Sequence, residues 1–184
     1  MIMDQWQIEN YDTLGNMPEI WESSADDLLA AEGFLRKARI AYYTTTQQRI
    51  DVGQEIPPEG KILNVEIMLK GFAVECLLKA LWIKKGNALA HNGKLLKIPG
   101  VGDHKLIQLA KKLGFKIDEK QMSLLRRLEI YVISIGRYPM GTTWETTKIT
   151  KANGAPPTFW SMPSDDVLFD GFIRLVQGEI DKSG

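Results

Sequence analysis

The sequence predicts an all-α protein, an antiparallel helical bundle of about five helices with an irregular excursion before the last helix. Three observations predict this class. Apolar residues recur at three- and four-residue spacing in five segments. Glycine or proline interrupts the chain between these segments. The chain has 184 residues with 44% hydrophobic content, which suits one compact domain that needs no disulfide framework.

The N-terminal third is expected to hold an arm and the first helix. Residues 1–22 carry aromatic side chains among Asn, Gly and Pro without a sustained period, so they predict an arm packed on the body. The body, residues 23–184, is predicted to be a single domain. Its first helix is expected to start at an N-cap serine in Ser23-Ser24 and to run to about Gln48, before a loop with two prolines.

The middle of the chain predicts the central helix. From about Ile62 to Lys85 the apolar positions recur so regularly that this second helix should be the most buried one. A glycine-containing loop, 86–102, is expected to follow. Asp103 is then predicted to cap a short third helix that Gly114 ends.

Two further helices complete the predicted bundle. Asp118 is expected to cap the fourth helix, which runs to Gly136. Residues 140–163 hold threonines, prolines and two tryptophans, a composition that predicts an extended excursion or a short hairpin. Ser164 is expected to cap the last helix.

Composition limits the classes of function. The 23 Lys and Arg residues balance 23 Asp and Glu residues, which argues against a domain that mainly coats nucleic acid non-specifically, although a local basic patch remains possible. Cys76 is the only cysteine, so neither an intramolecular disulfide nor a cysteine zinc cluster can form. The N-terminal residues and the charged positions within the apolar runs predict no signal peptide and no membrane span. We therefore expect a soluble, cytoplasmic protein without membrane contact.

Two Glu–Lys pairs at four-residue spacing lie in the second helix, Glu66 with Lys70 and Glu75 with Lys79. One interpretation is that both are exposed surface ion pairs worth about 0.2–0.5 kcal/mol each. The other is that Glu75, which has apolar neighbours along the chain, is partly buried and requires a cation, for which an arginine of another helix is the natural partner.

Arg137 is the predicted cation, because it stands where the fourth helix must end before a proline. It either caps that helix, stacked on Tyr138, or projects between the second and fourth helices to hold a phosphate or carboxylate. His104 has two interpretations as well, a hydrogen bond that joins two helix ends or a role in a site. No pair of histidines has metal-binding spacing, so no metal and no cofactor are predicted.

The segments NVEIMLKGFAVECLLKALWIKKG, HKLIQLAKKLGF and LLRRLEIYVISIGRYP together resemble the HEPN domain group of prokaryotic defence, stress and toxin–antitoxin systems. The resemblance covers about residues 62–139. It implies an antiparallel helical bundle, frequently dimeric. Many members are metal-independent endoribonucleases that use an arginine followed four to six residues later by a histidine, whereas others bind nucleotides, RNA or proteins. Arg137 matches the arginine, but the positions for the histidine hold Thr142, Thr143 and Trp144.

This resemblance implies an RNA- or nucleotide-binding homodimer that lacks the family's catalytic histidine. Arg137, Tyr138 and Lys79 would bind phosphate or RNA, and Glu75 and His104 would orient them. The first alternative is a metal-independent endoribonuclease with a non-standard active site, in which His104 or Thr142 replaces the histidine. The second is a protein-interaction module, such as a member of a toxin–antitoxin pair with an antitoxin-like partner.

Overall fold

The computed structural model describes residues 5–55, 62–135, 160 and 163–183, and these residues form six helices and one two-stranded antiparallel sheet. The all-α class is therefore confirmed. The elements are α1 (Gln5–Gly15), α2 (Pro18–Asp51), α3 (Ile62–Lys84), β1 (Ala90–His91), β2 (Lys94–Leu95), α4 (Leu106–Lys112), α5 (Glu119–Ile130) and α6 (Ser164–Lys182). No helix among these described residues is long and apolar enough to cross a membrane.

The first two helices differ from the prediction. Residues expected to form an irregular arm contain α1, and α2 begins at Pro18 rather than after Ser23. Proline is favoured in the first turn because its fixed φ suits a helix and its missing N–H would have no partner there. Ser24 therefore lies inside α2, where its hydroxyl donates to the Ile20 carbonyl at 2.8 Å. The predicted boundary between residues 22 and 23 falls within this helix.

Helix α3 is the central and most buried helix, as predicted. It packs along α2 on one side and contacts α4, α5 and α6 on others. Gly71 lets α5 approach closely, since a Cβ atom at this position would lie 3.2 Å from the Leu128 carbonyl oxygen and would also collide with the side chain of Val132. The apolar core gathers around α3, with Ile67, Leu78 and Leu81 fully buried.

The predicted loop after α3 contains the β1–β2 hairpin, in which Ala90 pairs with Leu95 and His91 with Lys94. The predicted Asp103 cap is wrong. Lys105 occupies the N-cap position of α4 and makes no side-chain capping bond among the described residues. The reason is that His104 adopts a left-handed conformation, φ 59°, which turns the chain after Asp103 and before the helix.

The remaining helix ends fit the predictions better. Gly114, with φ 93°, follows α4 as predicted. Asp118 forms a capping box with Gln121 at the start of α5, which confirms that cap. Helix α5 continues into a π-helical turn, Tyr131–Ile135. Ser164 is the first residue of α6 rather than its cap, because Pro163 takes the N-cap position. The predicted excursion over 140–163 lies almost entirely outside the described residues.

Candidate functional site

Glu75, Lys79 and His104 come together where α3 meets the turn before α4. The two oxygens of the Glu75 carboxylate have different partners. Oε1 accepts from Lys79 Nζ at 2.8 Å, one helical turn further along α3, and Oε2 lies 2.8 Å from His104 Nδ1. The side chain of Glu75 is only 9% exposed, whereas those of Lys79 and His104 are 24% and 30% exposed. The arrangement is a buried carboxylate that holds two partly exposed nitrogen groups.

The carboxylate fixes the tautomer of the neutral imidazole. Burial on its own raises the pKa of Glu75, but the charge of Lys79 and the hydrogen bond from His104 outweigh it, so the pKa lies below its ordinary value. An ionised carboxylate only accepts hydrogen bonds, and Nδ1 of His104 therefore carries the hydrogen. Nε2 remains for a ligand, as an acceptor when the ring is neutral and as a donor when it is protonated.

The backbone at His104 is also unusual. A positive φ is uncommon for any residue except glycine, and such conformations cost about 1–3 kcal/mol when the surrounding structure imposes them. Here the Lys105 N–H donates to the Gly102 carbonyl at 3.1 Å across the turn. The Phe72 ring meets the imidazole edge to face, with the ring centres 5.9 Å apart. The turn thus presents the imidazole to Glu75.

A hydrogen bond to Glu129 of α5 fixes the start of α4. Glu129 accepts a hydrogen bond from the Ile107 N–H at 2.9 Å, in the first turn of α4. Burial raises the pKa of Glu129 above its ordinary value, although this backbone bond and Lys105 act in the opposite direction. The carboxylate thereby ties α4, and the His104 turn that precedes it, to the body of the bundle.

These groups lie at the edge of a cleft with a volume of about 240 Å³. Its apolar residues come from the hairpin region and from α4, and its polar residues come from α3 and the His104 turn. The lining includes Leu89, Leu95, Leu96, Ile98, Leu106 and Leu109 as apolar residues and Glu75, Lys79, Lys97, Asp103, His104 and Lys105 as polar ones. The volume is below the roughly 300–1,000 Å³ of sites for drug-sized ligands, so a bound molecule is small or enters in part.

Positive and negative residues are unevenly distributed along the chain, although their total numbers are equal. Residues 79–127 contain 12 Lys and Arg residues and 3 Asp and Glu residues, a net charge of +9. This segment spans the end of α3, the hairpin, α4 and most of α5, and it supplies most of the cleft. Many of its cations are exposed, among them Lys97, Lys111 and Lys116. Of these cations, Lys79, Lys97 and Lys105 line the cleft, together with the acids Glu75 and Asp103.

The predicted site residues are only partly brought together. Glu75, Lys79 and His104 meet as described, but Arg137 and Tyr138 lie outside the described residues, as do Thr142 and Trp144. Glu75 is buried, as one interpretation required. Within the described part of the chain its cations are Lys79 and, when protonated, His104, rather than an arginine. The functional roles of these residues remain predictions.

The other Glu–Lys pair of α3 is not on the surface, which makes the exposed interpretation wrong for Glu66 and Lys70. Both side chains are fully buried. Lys70 Nζ lies 2.7 Å from Glu66 Oε1 and 3.3 Å from Asp166 Oδ1, and it also pairs with Glu32 of α2. Arg39 of α2 binds both oxygens of Glu66, at 2.6 and 2.9 Å. We call Glu32, Arg39, Glu66, Lys70 and Asp166 the buried ionic network.

Aromatic residues pack against this network. Lys70 Nζ lies 5.4 Å from the centre of the Trp160 ring and 5.1 Å from that of Phe169. The Trp160 indole N–H donates to Asp166 at 3.1 Å. Sequence reasoning missed these partners. The sequence holds one indication of them. Arg39 is one of few basic residues in the acidic first third of the chain, and it lies within a helical segment.

Other potential chemistry is not supported. Burial raises the pKa of Cys76 to about 11, so its thiol is protonated at neutral pH and is not a reactive thiolate. The described residues contain no group of three or more His, Cys, Asp or Glu side chains placed to hold a metal ion.

Comparisons with family models, with curated proteins and with solved structures found no match for this chain.

Proposed function

We propose that the chain is a HEPN-like domain that binds RNA or a nucleotide through phosphate groups, without catalysis, in a defence or toxin–antitoxin setting. The observation that carries the phosphate-binding part is the placement of Lys79 and His104 on a buried carboxylate, at a cleft inside a segment with a net charge of +9. A lysine and a protonated imidazole are both donors that bind phosphate oxygens.

The charges and the apolar surface of the cleft suit the two parts of a nucleotide. Lys79, Lys97 and His104 are available to the phosphate, and Asp103 and the paired Glu75 keep the rim from being uniformly positive. The leucine-rich wall offers apolar contact to a nucleoside. Exposed lysines elsewhere in residues 79–127 would attract the further phosphates of an RNA strand, and this attraction would weaken as salt concentration rises.

A thermal-shift screen against AMP, inorganic phosphate and a short single-stranded RNA tests the proposal. A ligand at a hundred times its Kd stabilises the fold by about 2.7 kcal/mol, which raises the Tm of a chain of this size by roughly 5–10 °C. Lys79→Ala and His104→Asn should remove the shift. Lys111→Ala is the matched control, because it removes one exposed positive charge from the same segment away from the cleft. No shift with any of the three ligands would contradict the proposal.

A metal-independent endoribonuclease is the second candidate, favoured by the hydrogen bond between His104 Nδ1 and Glu75 Oε2. In this scheme His104 Nε2 takes the proton of a ribose 2′-hydroxyl, and the 2′-oxygen attacks the adjacent phosphorus. The bond from phosphorus to the 5′-oxygen breaks, that oxygen takes up a proton, and a 2′,3′-cyclic phosphate remains. General acid–base assistance of this kind contributes about 10²–10⁴-fold.

Prolonged incubation of labelled RNA with concentrated protein and EDTA separates the two candidates. Cleavage with a cyclic phosphate end, abolished by His104→Asn and by a 2′-O-methyl substrate, would establish the nuclease. Unchanged RNA together with measurable binding would favour the non-catalytic proposal.

The proposed homodimer and antitoxin-like partner rest on the family resemblance. Helix α2 supports the dimer, because Ile40 and Ile50 in its C-terminal half and Val52 just after it are 52%, 50% and 68% exposed. Light scattering of the purified chain tests this part, and a monomer at micromolar concentration would contradict it. A flat ligand screen combined with a stable complex with the product of a neighbouring gene would favour the protein-interaction module instead.

A further inference from the structure

Helix α1 is attached to the hairpin by polar contacts. Within Gln5–Gly15 no residue is buried, so apolar packing contributes little to its position. Asp12 accepts hydrogen bonds from the N–H groups of Asn92 and Gly93 at 2.7 and 2.9 Å, at the tip of the hairpin. A carboxylate that binds two adjacent amides holds this turn, whose positive-φ residues Asn92 and Gly93 are the pair favoured in two-residue hairpin turns.

Asn16, immediately after α1, holds the base of the same hairpin. Its Oδ1 accepts from the N–H groups of Leu89 and Ala90 at 2.7 and 3.0 Å, and its Nδ2 donates to the Ala90 carbonyl at 2.8 Å. Gly15 fits closely here, since a Cβ atom on it would lie 2.5 Å from Ala90 Cβ. A two-residue-per-strand hairpin is at best marginally stable on its own, so its position depends on these contacts.

The hairpin is one wall of the candidate cleft. Leu89 precedes β1 and is 2% exposed, whereas Leu95 and Leu96, in and after β2, are 53% and 41% exposed. All three line the cleft that His104 and Lys79 border. The contacts made by Asp12 and Asn16 thus fix the apolar wall relative to the polar groups.

The C-terminal end of α1 also reaches the polar side of the cleft. The Trp21 indole N–H donates to the Gly15 carbonyl at 3.1 Å, and Lys79 Nζ lies 4.8 Å from the centre of the Trp21 ring. A cation over an indole face is attracted by the ring. Gly15 therefore contacts the hairpin directly and is linked to the Lys79 cation through Trp21.

We infer that Asp12 and Asn16 are positioning residues for the nucleoside part of a ligand in this cleft. They hold the hairpin so that Leu95 and Leu96 face the nucleoside while Lys79 and His104 hold the phosphate. This inference rests on the proposed binding of a nucleotide phosphate. It adds that affinity for a whole nucleotide depends on polar groups that touch no ligand, whereas affinity for free phosphate does not.

Titration calorimetry of AMP and of inorganic phosphate with Asn16→Ala tests this inference without a change of charge. AMP affinity should fall about tenfold, and phosphate affinity should stay within about twofold of the wild type. Asn16→Asp, which keeps the acceptor for the Leu89 and Ala90 amides, should recover part of the AMP affinity. Gln5→Ala is the control, because its side chain bonds Glu9 within α1 and its loss should leave both affinities unchanged.

Each outcome bears on the inference. Equal AMP affinity in Asn16→Ala and wild type would overturn it, and so would a parallel loss of AMP and phosphate binding in a folded variant, as judged by circular dichroism. A wild-type protein that binds neither probe would refute nucleotide binding at this cleft and this inference with it. A wild-type protein that binds both probes, with unaltered binding in the variant, would refute the inference alone.

Discussion

Replacing Lys70 by methionine tests whether the carboxylates of the buried ionic network depend on its positive charge. Methionine keeps an unbranched side chain of similar length and removes the charge. In the wild type the Lys70 ammonium group is fully buried and faces the carboxylates of Glu32, Glu66 and Asp166. Since none of these acids can reach bulk water easily, the variant leaves them with less positive charge.

The expected loss follows from what remains. Removing one partner of a buried ion pair costs about 3–5 kcal/mol, because a buried charge is left uncompensated. Arg39 still binds Glu66 and Asp166, and Arg36 still pairs with Glu32 at 2.8 Å. The loss should therefore lie at the lower end, about 3 kcal/mol. For a domain of this size it corresponds to a fall in Tm of roughly 6–12 °C.

Urea unfolding at pH 7, followed by circular dichroism, measures the loss. Lys37→Met is the control, because Lys37 is an exposed residue of α2 and surface substitutions usually change stability by less than about 0.5 kcal/mol. The double variant Lys70→Met/Glu32→Gln should recover part of the loss, since it neutralises one of the carboxylates. If Lys70→Met costs no more than the control, the reasoning about the network is refuted.

Two further predictions concern pH and packing. Burial alone would raise the pKa of Asp166, but the hydrogen bond from Arg39 and nearby positive charge bring it below its ordinary value. As pH falls, Asp166 is therefore protonated in the unfolded chain before it is protonated in the folded one. Its contribution to stability is complete above the ordinary pKa of about 3.9 and is lost as pH falls below that value. Asp166→Asn should flatten the decline of the urea midpoint between about pH 5 and pH 2, and an unchanged slope would contradict the assignment. Gly71→Ala should cost about 1–3 kcal/mol by overpacking against Val132. Gly178→Ala, where nothing lies within 4 Å of the added Cβ, should be neutral or slightly stabilising in the same urea unfolding assay.

The sequence predicts those parts of the fold that depend on local chemistry. The Asp118 cap and the end of α4 at Gly114 follow from the preferences of single residues, and both are confirmed. The predicted start of α2 was wrong because Ser23 and Pro18 both favour a helix start, the serine as an N-cap and the proline in the first turn. Local preference does not choose between them. The Asp103 cap was wrong because the left-handed backbone at His104 depends on the contact with Glu75, which is distant in sequence.

The hairpin shows this limit in part, because Asn92-Gly93 is a local signal for its turn but not for its position. Two residues per strand are too few for alternation to stand out, and the contacts that hold the hairpin come from Asp12 and Asn16, more than 70 residues earlier. Nothing in the sequence of either segment indicates its partner. The contact between Glu75 and Lys79 follows from their spacing on one helix, whereas His104 was named as a site residue without its contact to Glu75.

The two Glu–Lys pairs of α3 explain why one pattern has two outcomes. Glu66 and Glu75 are nine positions apart, and at about 100° per residue they point to opposite sides of the helix. A central helix packs on both sides, so each pair meets other elements: Arg39 of α2 and Asp166 of α6 on one side, and the His104 turn on the other. The first pair is covered by α2, α6 and Trp160, so its role is structural. The second borders a cleft with partly exposed nitrogen atoms, and this difference in access makes it the candidate for ligand binding.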